Sequence, residues 1–173
     1  PAVNNLEWFL QHAELNVSIP HLWHCLEQII RSDLLRDYQT PDESLSVSIN
    51  SFSYKNGIPA DNTGNGGGYV FDCRALPNPG RFEQYQTYTG KDEPVIRFMK
   101  EKQEVKTFVD HVYSVIDSSL KNYESRNFSH LMINFGCTGG QHRSVYCAEE
   151  ISNRIKQNHG IRVHIRHREL EKK

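Results

Sequence analysis

The chain has 173 residues, 20 Lys and Arg against 21 Asp and Glu, and a formal net charge of −1. That suits one domain with, at most, the tail of a second, and a near-neutral balance creates no global pull toward nucleic acid or a membrane. No apolar run is long enough to span a bilayer and no secretory signal pattern is present, so a cytoplasmic protein without a membrane partner is expected. Cys25, Cys73, Cys137 and Cys147 form no Cys-x-x-Cys pair and no zinc spacing, which reads as reduced thiols and no metal site. The first residue is Pro1 rather than Met, which suggests a fragment of a longer protein.

Residues 5–38 have helical periodicity: Leu6, Phe9, Leu10 and Ala13 share one face, Leu22, Leu26, Ile29 and Ile30 another, and Pro20 suits a first helical turn. Residues 1–44 are therefore expected to be a helical extension, the end of an upstream domain plus a linker. His21, His24 and Cys25 lack a fourth ligand and read as ordinary helix residues. A strand is expected over 45–52, where Leu45, Val47 and Ile49 alternate, and a mobile loop over 61–68, which is crowded with glycine. A short strand over 69–73 runs into Asp72-Cys73-Arg74 and the stiff Pro77-Asn78-Pro79-Gly80 loop. After a turn at Thr89-Gly90-Lys91-Asp92, Pro94 opens a helix. The next helix, about 104–123, carries an apolar stripe of Val105, Phe108, Val109, Val112, Val115, Ile116 and Leu120.

Leu131-Met132-Ile133-Asn134-Phe135 then reads as a strand that enters Gly136-Cys137-Thr138-Gly139-Gly140-Gln141-His142-Arg143-Ser144. A helix over 144–158 follows, with Val145, Ala148, Ile151 and Ile155 inward and Gly160 as its stop, and a last strand over 161–165. Strands separated by helices imply an α/β fold, a mostly parallel sheet of about four strands with helices on its faces. Ligands of such sheets sit beyond the carboxyl ends of the strands, so the loops 53–59, 74–80 and 136–144 are expected to converge on one pocket.

The strand–glycine turn–helix order of 136–144 is an anion site in prospect. Glycines let backbone N–H groups turn inward, the helix adds unpaired N–H groups at its positive end, and Arg143 and His142 add side-chain donors. The expected ligand is a phosphate, sulfate or phosphate monoester, with no cofactor. Arg74 and Asn78 after the second strand, and Lys55 and Asn56 after the first, are candidates to reach the same ligand. Asp72 either orients Arg74, caps a turn or serves as an acid. The same loop fits Cys-x5-Arg-Ser and resembles the phosphate loop of tyrosine and dual-specificity phosphatases, although Gly136 stands where those enzymes usually carry His. Cys137 is then either a thiolate nucleophile paired with Arg143, with Asp72 as acid, or a small buried hydrophobe; Tyr146 and Cys147 read as packing residues. At the end of the chain, Arg162, His164, Arg166 and Arg168 share one face by the period of two, and Lys172 and Lys173 follow. This is a basic stripe suited to RNA phosphates.

Five segments together resemble the C-terminal domain of the RapZ (YvcJ-like) family over about 45–173. They are Ser51-Phe52-Ser53-Tyr54-Lys55-Asn56-Gly57-Ile58-Pro59, Phe71-Asp72-Cys73-Arg74-Ala75-Leu76-Pro77-Asn78-Pro79, Thr89-Gly90-Lys91-Asp92, the glycine loop through Tyr146, and Arg166-His167-Arg168-Glu169-Leu170-Glu171-Lys172. The resemblance implies an adaptor that carries RNA to a ribonuclease and senses an amino-sugar phosphate, with a fold related to the sugar-phosphate site of phosphofructokinase. It also implies an upstream domain, of the P-loop or the aminoglycoside-phosphotransferase type, and the possibility of a homo-oligomer. This chain departs from the family pattern at Gln141, often Lys in relatives, and at Gly80, often His.

Overall fold

The computed structural model describes residues 44–64 and 67–171. The expected helical extension over 1–44, apart from Ser44, residues 65–66 of the glycine-rich loop, and Lys172 and Lys173 lie outside the described residues. Four strands, β1 (Ser46–Ser53), β2 (Gly68–Asp72), β3 (His130–Cys137) and β4 (Arg162–His167), form one sheet in the order β2-β3-β1-β4. Every pairing is parallel, with Ile49 opposite both Ile133 and Ile165. Helices α1 (Glu93–Lys100) and α2 (Gln103–Ser125) connect β2 to β3, and α3 (Arg143–His159) connects β3 to β4. The α/β class and parallel sheet of four strands follow from the alternation of strand and helix periods in the sequence.

Both crossovers step the same way along the sheet, so their right-handedness brings α2 and α3 to one face. The side chains agree. Val47, Ile49, Leu131, Ile133, Phe135, Tyr69, Phe71, Val163 and Ile165 pack with Val105, Val109, Val112, Ile116 and Leu120 of α2 and with Ala148, Ile151 and Ile155 of α3. The alternate strand residues, among them Ser48, Asn50, Met132, Asn134, His164 and Arg166, face the other way, where no described helix lies. Val115, expected in the stripe of α2, is 48% exposed. Positions 105, 109, 112, 116 and 120 already fill the buried line, and a residue one step from Ile116 turns about 100° away.

α3 ends where expected, with Gly160 in the left-handed conformation at φ 63°. The segment after β2 is more ordered than a loop. Three successive 3-10 turns occupy Cys73–Ala75, Pro79–Arg81 and Glu83–Tyr85, the first two capped by the side chains of Asp72 and Asn78. The edge of the sheet is tied to α3 by a buried chain: Ser51 Oγ lies 2.8 Å from His167 Nδ1, and His167 Nε2 lies 3.0 Å from Glu149 Oε1. The order Ser–His–Glu is that of a hydrolase triad, but Ser51 is fully buried, so it is a tie and not a nucleophile.

Candidate functional site

β3 carries the chain to the carboxyl end of the sheet and delivers it into the 136–144 loop, from which α3 leaves. Gly140 makes the turn, at φ 64°, and Ser53 N and Glu169 press on the space a Cβ would fill. Ser53 Oγ donates to Thr138 O at 2.6 Å, which ties the end of β1 to the loop. Glu169 accepts from Ser53 N at 3.4 Å and from Asn56 Nδ2 at 2.7 Å, so the chain just beyond β4 backs the same loop.

The other wall is the 3-10 segment, which the loop's own side chains hold. Gln141 Nε2 donates to Gln86 O and Tyr88 O, at 3.1 and 2.6 Å. His142 Nε2 sits 2.9 Å from Tyr85 O; a carbonyl only accepts, so Nε2 carries a proton in this contact. Gly90 N donates to Gln141 O at 2.9 Å. Between these walls is a cavity of about 220 Å³ lined by Asn78, Gly80, Cys137, Thr138, Gly139, Gln141, His142 and Arg143. Gly80 has no side chain to cover His142, whose Nδ1 lies only 3.4 Å from the position a Cβ would take.

Arg143 is the residue that departs most from a simple phosphate grip. Its side chain is 94% buried by its 6% exposure, and one terminal nitrogen donates to Arg74 O at 2.7 Å and Leu76 O at 3.1 Å. Its Nε is buried with no hydrogen-bond partner. The guanidinium thus clamps the 74–76 turn while its Nε is left without a partner. α3 begins here with no side-chain cap, so the positive end of a 17-residue helix faces the same space.

Cys137 is 3% exposed and forms the floor. Its Sγ accepts from Gly140 N at 3.2 Å and lies 3.1 Å from Ser144 Oγ. The Cys73 thiol is pushed up by burial and by the neighbouring Cys147, so it stays neutral. Burial also pushes the Tyr146 phenol up. Tyr146 and Cys147 pack in the core, as expected.

Four candidates, Arg74, Asp72, Asn56 and Lys55, lie away from the cavity. Arg74 pairs with Asp72 through Nε and a terminal nitrogen at 2.6–3.0 Å and stacks 3.9 Å over the Tyr54 ring. Its carboxylate neighbour captures it, and that pairing holds the Asp72 carboxyl below the usual carboxylate range. Asp72 both orients Arg74 and caps the turn. Asn56 is turned toward Glu169, and exposed Lys55 does not line the cavity. Of the three loops expected to converge, 74–80 and 136–144 do so, while 53–59 braces them from behind through Ser53. Sequence reasoning missed Ser53 and Glu169, because a lone Ser at a strand end and a lone Glu in a basic tail have no local signature.

The basic stripe lies on β4, an edge strand: Arg162, His164 and Arg166 are exposed and Val163 and Ile165 pack inward. Arg166 forms a two-pronged pair with Glu171 at 2.9–3.1 Å, and Arg168 donates to Gly57 O and Asn56 O at 3.0 and 3.1 Å. Among the described residues no group of three His, Cys, Asp or Glu could hold a metal ion, and no helix is long and apolar enough to cross a membrane.

The model of the RapZ C-terminal domain matches residues 45–171, the whole of the described sheet and both walls of the cavity. The chain belongs to the RapZ C-terminal domain family. It is 39% identical over 168 residues to a nucleotide-binding protein of Mannheimia succiniciproducens, covering 96% of this chain and 55% of that protein. A nucleotide-binding protein of Haemophilus influenzae is 39% identical over 168 residues, with 96% and 56% covered. One of Acidobacterium capsulatum is 39% identical over 147 residues, with 85% and 45% covered. The chain spans about half the length of the curated relatives it matches.

Proposed function

We propose that this domain is a regulatory binding module that takes a phosphorylated metabolite into the glycine-loop cavity. The observation that carries this reading is that the uncapped N-terminus of α3 opens on a cavity lined by the glycine loop and by buried Arg143. A phosphate there would lie among the unpaired N–H groups at the positive end of the helix. His142 Nδ1, uncovered at Gly80, suits a hydroxyl elsewhere on the ligand, and an amino-sugar phosphate, the ligand implied by family resemblance, has such groups. The name of the relatives, nucleotide-binding protein, is compatible with a phosphorylated ligand. RNA on the basic end, a ribonuclease as partner, an upstream domain over 1–44 and beyond, cytoplasmic location and self-association belong to the same proposal and rest on the resemblance and the basic stripe.

Thermal unfolding of the intact chain tests the pocket. Glucosamine 6-phosphate should raise the melting temperature more than inorganic phosphate, and at about a hundred times its Kd should add about 2.7 kcal/mol. Gly139 lines the cavity and has open space around its Cα, so Gly139→Asp inserts a negative charge without a clash. That variant should lose the shift, and Gly139→Ala should keep it. Equal shifts in wild type and Gly139→Asp, or none at millimolar ligand, would overturn the reading.

A second reading has one observation in its favour. Ser144 Oγ and Gly140 N–H both approach Cys137 Sγ, as donors to a thiolate would in a Cys-x5-Arg phosphatase. Against it, Arg143 is engaged with carbonyls and Asp72 with Arg74. Hydrolysis of an aryl phosphate that disappears in Cys137→Ser would establish the enzyme and displace the binding module.

A further inference from the structure

Three cysteines, Cys73, Cys137 and Cys147, meet beneath the glycine loop. All are free thiols, all are buried, and all belong to one core cluster. The strand register explains why. β2 and β3 run side by side, with Phe71 opposite Phe135 and Asp72 opposite Gly136, and the two phenyl rings stack at 5.5 Å on the core face. Cys73 and Cys137 come two residues after those rings, so the period of two returns both to the same face of neighbouring strands. Adjacent strands lie about 4.8 Å apart, inside the Cα separation of about 4.4–6.8 Å that a disulfide spans.

Cys73 opens the 3-10 turn that leaves β2, and that turn is held in place. It packs against β3 and α3, and Arg143 clamps it through Arg74 O and Leu76 O. Cys147 closes the group from α3, one turn beyond Ser144, whose hydroxyl lies 3.1 Å from Cys137 Sγ. Burial first, and Cys147 beside it, keep the Cys73 thiol protonated. No metal-holding group of three is formed among the described residues, so the chemistry open to the cluster is pairwise.

Access sets the order of events. Cys137 lines the cavity, whereas Cys73 and Cys147 are 0% exposed and do not. The cavity of about 220 Å³ far exceeds the roughly 10–15 Å³ that a water-sized molecule needs. Cys137 Sγ accepts from Gly140 N at 3.2 Å beside the positive end of α3. A small oxidant entering the cavity therefore meets Cys137 first, and Cys73 meets only what Cys137 has become.

We propose that Cys137 and Cys73 are a thiol pair that a small hydroperoxide, entering through the glycine-loop cavity, oxidises to a disulfide, and that this bond releases the loop. In the first step an electron pair of Cys137 sulfur attacks one peroxide oxygen and the O–O bond breaks. The sulfur is oxidised to a sulfenic acid, and the departing hydroxide takes the thiol proton to become water. In the second step Cys73 sulfur attacks Cys137 sulfur, the S–O bond breaks, and hydroxide leaves with the Cys73 proton as a second water. Two thiols lose two electrons and one peroxide gains them. Drawing Cys137 Sγ toward Cys73 takes it from Gly140 N–H and from Ser144 Oγ, and Gly140 makes the turn of the loop. The disulfide is independent of any ligand; its effect on a phosphorylated one rests on the binding proposed for this cavity.

The intact chain is treated with hydrogen peroxide, its remaining thiols are alkylated, and its peptides are mapped by mass spectrometry, with amide NMR of the same sample. The expected product links Cys73 to Cys137, shifts the amides of Gly139, Gly140 and Ser144, and reverts with a dithiol reductant. In Cys73→Ala, Cys137 should stop at the sulfenic acid, trapped by dimedone. Glucosamine 6-phosphate should bind the oxidised chain about tenfold more weakly than the reduced one, the equivalent of about one hydrogen bond. No disulfide, a disulfide between other cysteines, or a Cys73–Cys137 link that leaves the loop amides unmoved overturns the proposal. These readouts use the unaltered chain, so an unstable Cys73→Ala does not blunt them. Equal affinity of the two forms, in a chain that binds the sugar phosphate when reduced, also overturns it. Absence of binding to the reduced chain would instead sink the metabolite reading, and the peptide map and loop amides would still decide the thiol pair.

Discussion

The glycine-loop cavity and the basic edge of the sheet both hold cations near open space, yet they are built in opposite ways. At the loop, Arg143 is buried and its contacts are backbone carbonyls, so its position is set by the fold. At the edge, Arg166 is exposed and its contact is Glu171, another exposed side chain. The first arrangement gives geometry: a guanidinium fixed by the backbone around it. The second gives charge: adjustable side chains in a high-dielectric surface, screened by salt and tolerant of change. One fold thus carries a cation fixed by its backbone contacts and another held only by an exposed side chain.

The comparison predicts a graded response to substitution. The largest effect belongs to Arg143→Ala. It strips the donor from Arg74 O and Leu76 O and empties buried volume between α3 and the 73–75 turn, so it should cost about 2–4 kcal/mol in denaturant unfolding. A loss below about 0.5 kcal/mol, the scale of surface changes, would show that the clamp is not structural. Next comes Gly140→Ala, where a left-handed φ and the nearby Ser53 N combine; about 1–3 kcal/mol is expected. Gly139→Ala, one residue away in open space, should be close to neutral. If the two glycines respond alike, the loop lacks the rigid turn described for it.

How much of this was legible beforehand follows the same division. Hydrophobic period gave the strands and helices, because burial on one face repeats every two or 3.6 residues. The glycine run marked the loop, because few side chains tolerate such a turn. The roles of individual cations were not legible. Arg74 and Arg143 look equivalent as sequence, and only packing decides that the first pairs with Asp72 outside while the second turns inward to carbonyls. Ser53, Glu169 and the Asn50–Asn134 hydrogen bond depend on contacts between residues more than 80 positions apart, where no local pattern exists.

Acid should reach the loop's support indirectly. Asp92 accepts from Thr89 N and Thr89 Oγ1 at 2.7 and 2.8 Å, and these bonds, backbone first, hold its carboxyl below the ordinary 3.8. A pKa depressed in the folded state means stabilisation fully present above 3.8 and lost as pH falls through the lower folded value. The turn it fixes carries Gly90 onto the start of α3. Asp92→Asn should therefore lower stability at neutral pH and flatten the acid limb of the stability curve below pH about 4. An acid limb identical to wild type would mean the Thr89 bonds carry no charge-dependent stability.

The smallest structural effect, and the sharpest contrast, is expected at Arg166. The guanidinium is exposed, its pair with Glu171 lies in solvent, and no buried group depends on it. Arg166→Ala should leave the melting temperature within measurement error, where Arg143→Ala lowers it plainly. Its consequence should appear only with a polyanion. On an RNA ligand, affinity falls with salt as bound counterions are released, and removing one phosphate-contacting cation should reduce the slope of log affinity against log salt by about one. Glu171→Gln works in the reverse direction: it frees Arg166 from its partner and should strengthen binding at low salt without altering stability. The two variants together separate charge from fold. If Arg166→Ala unfolds the domain, the edge is structural after all; if both variants bind structured RNA as wild type does at every salt concentration, the stripe is a solvated strand edge and the RNA partner is lost from this surface.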